Sequence, residues 1–141
     1  MWGFSMSLMK WNDNYSVGIL FMDHEHKRLV AMINELYDGI MANHSREVIG
    51  KVLDKLIDYT KHHFAHEEEY FAKTHYREAA AHKRLHDELA RQVLEIQAKY
   101  KSGALASITM ELMNFLQSWL ANHIQGDDKR YGAFLKTQGM H

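Results

Sequence analysis

The chain has no cysteine and no proline among its 141 residues, and only eight glycines. Without cysteine there is no disulfide framework, zinc finger or thiolate-held iron–sulfur cluster. Without proline, a turn-rich β-sandwich is a poor fit and long uninterrupted helices are a good one. Charge of one sign is also lacking: 17 Lys and Arg stand against 18 Asp and Glu, a net charge of -1 with neutral histidines. The basic residues are not bunched, so the electrostatic footprint needed for nucleic acid is missing. Long apolar runs are absent too. The longest, over 17–22, holds about six residues, far short of the roughly 20 that cross a bilayer. The first ten residues lack a basic start followed by an apolar core, so no signal peptide is evident. The expectation is a soluble, cytoplasmic protein without membrane insertion. Met6 is an alternative natural start, with residues 1–5 then added upstream.

What the chain does have is histidine, 11 residues in all. His24, His26, His44, His62, His63, His66, His75, His82, His86, His123 and His141 form no run, so they are not a purification tag. The remaining composition, 46% hydrophobic and 25% charged, is that of an ordinary globular domain.

Four segments repeat apolar residues at the helical period, over about 23–42, 46–72, 77–101 and 104–123. The first carries His26, Leu29, Ile33, Leu36 and Ile40 in line. The second follows a Ser45 N-cap and carries Leu53, Leu56, Thr60, His63, Glu67 and Tyr70. The third carries His82, His86, Leu89, Val93 and Ile96. The fourth carries Leu105, Ile108, Leu112, Phe115, Trp119 and His123. Gly126 is expected to end it, before a short helix over about 127–135. Only Thr74 hints at a break between the second and third helices. These segments predict an all-α, antiparallel up-down-up-down four-helix bundle in a single domain spanning 1–141. Residues 1–22 read as an N-terminal arm, 23–135 as the bundle with its short C-terminal helix, and 136–141 as a tail. Trp11, Tyr15, Val17, Ile19 and Phe21 are positioned to pack along the bundle. No signalling or DNA-binding module is apparent.

The stripes contain residues that a plain core avoids. His26, His63, Glu67, His82, His86 and His123 sit where leucine, isoleucine or valine is expected, and buried charge needs partners. His63 and Glu67 are four apart, as are His82 and His86, so each pair shares a helix face. His123 and Asp128 are five apart and do not align on a regular helix. Gly126 gives the chain freedom to swing Asp128 back, and Asp127 competes for the same role. In up-down-up-down order these positions all fall at one end of the bundle. Five imidazoles and two carboxylates are too many for one ion. They suit two ions bridged by both carboxylates and by an oxo or hydroxo group, with one coordination position left open. Nitrogen and oxygen donors favour iron, manganese or zinc over copper(I). Ferritin-like oxidases use four carboxylates and Glu-x-x-His motifs, which are absent here. An imidazole-rich site stabilises high-valent iron less, which favours reversible oxygen binding over oxygen activation. Trp119, Phe64, Leu85 and Leu120 lie beside the candidate ligands and suggest a dry pocket.

The set His26, His63-x-x-x-Glu67, His82-x-x-x-His86 and His123-x-x-x-x-Asp128 resembles the hemerythrin signature, and more closely that of bacteriohemerythrins, the bacterial oxygen-binding branch. Local text agrees: Met9-Lys10-Trp11, His26-Lys27, Ala81-His82-Lys83, Asn122-His123-Ile124 and Asp128-Lys129. The resemblance runs from about residue 8 to 135. It implies two non-haem iron ions, Fe2+/Fe3+, with O2 as ligand. His82, His86 and His123 would hold the six-coordinate iron, His26 and His63 the iron with the open position, and Glu67 and Asp128 would bridge. The implied role is carriage, storage or delivery of oxygen rather than catalysis. Dioxygen is the implied partner, with an oxygen-consuming enzyme as a candidate recipient and a monomer as the expected state. Relatives often have proline where Gln125 stands.

Two rival readings use parts of the same pattern. An HD-type phosphohydrolase would use His86-Asp87 with His63 and Asp128 but leaves His82 and His123 idle. A single-domain oxygen, redox or nitric oxide sensor acting in trans is the other. His62 and His66 lie on a stripe beside the inner face and are expected to ligate nothing. His24, His44, His75 and His141 are expected at the surface. Of the run Glu67 to Glu69, only Glu67 is expected to point inward.

Overall fold

The computed structural model describes residues 8–141; the alternative start at Met6 falls outside them. Four long helices form, α1 (Leu20–Met41), α2 (Arg46–Thr74), α3 (Ala79–Ser102) and α4 (Met110–His123), followed by a short α5 (Lys129–Thr137). No strand occurs among the described residues. Helix α1 packs against α2 and α4, and α2 against α3. The buried stripe of α1 (Leu29, Ile33, Leu36) meets that of α2 (Leu53, Leu56, Ile57) in one continuous apolar core. Leu89 and Val93 of α3 and Met113, Leu116 and Leu120 of α4 complete it.

Helix ends explain where the chain turns. Ser45 caps α2 by accepting a hydrogen bond from the Val48 amide. The break after α2, faint in the sequence, is made by His75, which takes the left-handed conformation at φ 55 and donates its N–H to the Phe71 carbonyl. The fourth helix starts later than expected. Residues 104–109 are not helical, and Thr109 caps α4 by accepting from the Leu112 amide. Ile108 is buried from this loop, so its apolar character reflects packing rather than a further turn of helix. Phe115, expected on the inner stripe, is exposed; Met113, Leu116 and Leu120 form that face.

The arm packs along the bundle, as its apolar residues suggest. Val17 and Ile19 are buried and Trp11 and Tyr15 half-buried, while Phe21, expected in the arm, is half-buried in the first turn of α1, which starts at Leu20 rather than at about 23. Asn34 brackets Met9, accepting from its amide at 2.9 Å and donating to its carbonyl at 2.8 Å. Asp23 accepts from the Ser16 hydroxyl at 2.6 Å and the Val17 amide at 2.8 Å. Helix α5 lies against this segment at Gly132, where an added Cβ would stand 2.4 Å from the Val17 carbonyl oxygen. The arm and α5 together close the end of the bundle that holds the histidines.

Candidate metal centre

His26 lies early in α1, His63 and Glu67 late in α2, His82 and His86 early in α3, and His123 at the end of α4. Antiparallel packing brings all six to one layer, and Asp128 joins them. The seven side chains predicted from spacing therefore lie together, all of them buried. Asp128 arrives through a π-helical turn, Ile124–Asp128, between α4 and α5. A π-turn brings residues five apart into line, which is the spacing of His123 and Asp128. Gly126 does not end the helical path, contrary to expectation. Its φ is not positive, and a Cβ there would meet nothing. The wider turn, not glycine freedom, positions the carboxylate.

The same turn separates the two neighbouring acids. Asp128 faces the cluster, its Oδ1 being 3.3 Å from His123 Nε2. Asp127 instead accepts a hydrogen bond from Nδ1 of His123 at 3.0 Å.

Both interior carboxylates divide their oxygens between two groups of imidazoles. Oε1 of Glu67 lies 3.2 Å from His86 Nε2 and 3.5 Å from His82 Nε2. Its Oε2 lies 2.8 Å from His63 Nε2 and 3.4 Å from His26 Nε2. Asp128 repeats the division, with Oδ1 3.0 Å from His82 Nε2 and Oδ2 3.0 Å from His26 Nε2. Two donor sets result: Glu67, His82, His86, His123 and Asp128 in one, and His26, His63, Glu67 and Asp128 in the other. Each set has its ligand atoms within 4.8 Å of one another, and both carboxylates belong to both sets.

Despite these approaches, both oxygens of Glu67, both of Asp128 and both ring nitrogens of His26 lack a hydrogen-bond partner while fully buried. Buried polar atoms are normally paired, and exceptions point to an unfilled role such as an ion. Of these atoms, the four carboxylate oxygens and Nε2 of His26 stand together inside the cluster. The donor chemistry fits divalent iron, manganese or zinc.

A second layer of carboxylates orients the rings from outside. Glu25 accepts from Nδ1 of His63 at 2.7 Å, Glu68 from Nδ1 of His86 at 3.0 Å, and Asp127 from Nδ1 of His123. Each leaves Nε2 facing inward, the arrangement in which a histidine ligates. Sequence reasoning missed Glu25 and placed Glu68 on the solvated face. Only Glu69 behaves that way, paired with Lys73 at 3.0 Å. The available signal was an acid adjacent in sequence to a ligand, in Glu25-His26, Glu67-Glu68 and Asp127-Asp128.

Charge is strongly coupled inside the cluster. Burial alone would lower the pKa of His63, but the facing Glu67 carboxylate and the Glu25 hydrogen bond outweigh it and raise it to about 10. His123 is raised likewise to about 10, with burial opposed by Asp128 and Asp127. Burial would raise Glu67, yet His63 and the other imidazoles hold it well below the usual carboxylate range. Asp128 is also held well below that range.

Aromatic rings wall the site. Phe64 stacks on His86 with centroids 3.8 Å apart, and Trp119 on His123 at 4.5 Å. Phe71 and Tyr131 flank His82 at 4.8 and 5.9 Å. Next to Phe64 and Trp119 lies an apolar cavity of about 40 Å³, closed by Leu29, Leu56, Leu116 and Leu120.

The four histidines expected at the surface lie there, and the pair beside the inner face divides. His24, His44, His62, His75 and His141 are exposed. His66 is half-buried, its Nδ1 donating to the second oxygen of Glu25 at 2.7 Å. Asp87, required by the phosphohydrolase reading, is exposed and paired with Lys83 at 2.8 Å.

Residues 17–135 match the family model described as the Hemerythrin HHE cation binding domain. The bacteriohemerythrin of Methylococcus capsulatus is 39% identical over 133 residues, covering 94% of this chain and 100% of that protein. That of Stenotrophomonas maltophilia is 37% identical over 132 residues, covering 94% of this chain and 84% of its own. A crystal structure of wild-type hemerythrin superposes with a TM-score of 0.86 at 38% identity, covering 92% of this chain and 98% of the other. Sequence, bundle and buried histidine–carboxylate cluster thus agree, and the chain belongs to the hemerythrin family.

Proposed function

We propose that this chain binds dioxygen reversibly at a non-haem di-iron centre, for carriage, storage or delivery, and is not primarily an enzyme. The ligands would be His82, His86 and His123 for one ion, His26 and His63 for the other, and Glu67 and Asp128 between them. The observation that carries the reading is the division of oxygens: each buried carboxylate turns one oxygen to each group of imidazoles, as two ions side by side require. Counting side chains gives five donors in one group and four in the other. The smaller group is the one able to leave a position open to a small ligand. Bound iron would supply the redox-active attachment point for oxygen.

The chain's own residues do the rest. Five neutral imidazoles and two carboxylates place little negative charge on the pair, and so do not favour high oxidation states. Glu25, Glu68 and Asp127 hold three rings in the ligating orientation and tautomer. Phe64, Trp119 and Leu120 keep the approach apolar, which limits delivery of protons and water. The adjoining 40 Å³ cavity has room for a small apolar molecule, and its lining is apolar apart from the Thr60 hydroxyl and the Trp119 indole. The Thr60 hydroxyl already donates to the Leu56 carbonyl at 2.7 Å.

The test is metal content together with the visible spectrum of the reduced protein before and after air. About two irons per chain, and a band that grows with oxygen and fades under vacuum, support the proposal. Two irons with irreversible oxidation point to a sensor acting in trans. Zinc or manganese without an oxygen-dependent band overturns it.

A further inference from the structure

Glu25 holds two imidazoles, and only one of them belongs to the cluster. Its Oε1 accepts from His63 Nδ1 and its Oε2 from His66 Nδ1, each at 2.7 Å. His66 sits at the surface side of α2, its ring packed against the stacked pair Phe21 and Tyr70, at 4.9 and 5.4 Å. With Nδ1–H committed to Glu25, the neutral ring keeps its Nε2 lone pair free. A ligating histidine is prepared in the same way: one nitrogen bound to a carboxylate, the other bare and held in a fixed direction. His66 therefore has the supporting partner of a ligand without facing the interior cluster.

A second imidazole stands within reach. His62 lies four residues before His66 on the same helix and is exposed. Two histidines at this spacing on one helix face are a metal-chelating pair. Their ring centroids are 6.3 Å apart, against 4.7 Å for His82 and His86 at the same spacing inside the cluster. His66 is the fixed partner, and His62 is free to rotate and close the difference.

We propose that His62 and His66 form a surface site for a divalent first-row cation, completed by water, whose occupancy is transmitted to His63 through Glu25. An imidazole pair selects copper(II), nickel(II) and zinc(II) over magnesium and calcium. A cation on Nε2 of His66 draws charge from that ring and strengthens the hydrogen bond from its Nδ1 to Glu25. The shared carboxylate then pulls less on the Nδ1–H of His63, and His63 becomes a weaker donor at Nε2. Coupling of this kind is reciprocal, so metal at His63 also changes cation affinity at the surface. The binding half stands on the placement of His62, His66 and Glu25; the transmitted half rests on the di-iron reading.

The probe is zinc(II), colourless and redox-inert, added to the iron-loaded protein. Calorimetry reads binding, the visible band of the iron reads transmission, and iron content is measured before and after. The expected result is one zinc per chain at the pair, a shift of the band, and no loss of iron, with both signals gone in His62→Ala. His62 is exposed, so that variant folds as the parent does. Zinc binding unchanged in His62→Ala, or zinc entering only by expelling iron, overturns the site. Zinc bound at the pair with an unmoved band overturns the transmission through Glu25. Should the protein carry no iron, zinc also fills the interior sets, and the loss of one zinc per chain in His62→Ala still decides the surface pair, so the two failures stay distinguishable.

Discussion

Glu25 on α1 and His63 on α2 are joined by a 2.7 Å hydrogen bond that links two helices and sets the direction of one ring in the cluster. The bond fixes Nδ1 of His63 as the donor and leaves Nε2 facing Glu67. Replacing Glu25 with alanine removes this support without touching a ligand. The expected outcome is a loss of about 10–100-fold in metal affinity with the helical content preserved. Competition with a chelator, followed alongside circular dichroism, measures both. An unchanged affinity would show that packing alone holds the His63 ring.

Neighbouring histidines on α2 and α3 should behave oppositely. His82 is buried with its Nε2 3.0 Å from Asp128, whereas His62 is exposed beside the same layer. His82→Ala should lose bound metal and the visible band. His62→Ala should keep about two metals per chain, as the donor sets without it remain whole. Metal analysis after desalting distinguishes them. Equal loss in both variants would mean that the wrong face of α2 has been assigned to the interior.

Spacing made most of the cluster legible. His63 with Glu67 and His82 with His86 stand out because four-residue spacing places two polar groups on a stripe otherwise apolar. Asp128 was legible only as one of two acids, because periodicity assumes a uniform helix and the π-turn at 124–128 breaks that assumption. Glu25 and Glu68 left only the faint signal of an acid beside a ligand in sequence. They act from the flank of a helix across to a ring on another, so their role depends on helix rotation that no single-helix pattern encodes. The late start of α4 escaped for a related reason: Ile108 is buried from a loop and imitates the stripe of the helix that follows.

The contact between Gly132 and Val17 ties the arm to α5. A methyl group at Gly132 would come 2.4 Å from the Val17 carbonyl oxygen and 3.0 Å from the Val17 Cβ. Neither the packed arm nor the packed helix yields without strain. Gly132→Ala should cost about 1–3 kcal/mol, read as a lower denaturant midpoint. Gly126→Ala serves as the control, since its Cβ would meet nothing, and it should be neutral or slightly stabilising.

Trp119 is the half-buried wall between His123 and the apolar cavity, stacked 4.5 Å from the imidazole. Its removal opens the dry side of the site to water. Trp119→Ala should retain metal, because no ligand is lost, but shorten the lifetime of the oxygenated form. The decay of the oxygen-dependent band in air measures this. Trp119→Phe, which restores an apolar ring, should recover much of the lifetime. A decay rate equal to that of the parent would mean that Phe64 and Leu120 alone exclude water.

Protons and metal ions compete for the same nitrogens. His63 and His123 are each raised to about 10 by the carboxylates around them, so near neutral pH the metal-free cluster holds protons that ligation must displace. Metal uptake should therefore release protons and tighten as pH rises from about 6 to 9. The stability of the metal-free chain should move the other way. A histidine raised above its unfolded value of 6.5 contributes stability that is complete below that value and is lost as pH climbs through about 10. Glu67 and Asp128, held well below the carboxylate range, contribute stability that disappears instead in acid. The metal-free protein should then be most stable on the mildly acidic side of neutrality and weaken steadily towards alkaline pH. The loaded protein should show no such alkaline decline, because its imidazoles are already deprotonated. Thermal unfolding of chelator-treated and metal-loaded samples across this range separates the two curves. A metal-free midpoint that stays level between pH 6.5 and 10 would show that the imidazoles are neutral in the empty cluster, leaving its carboxylates to be neutralised by their own protons.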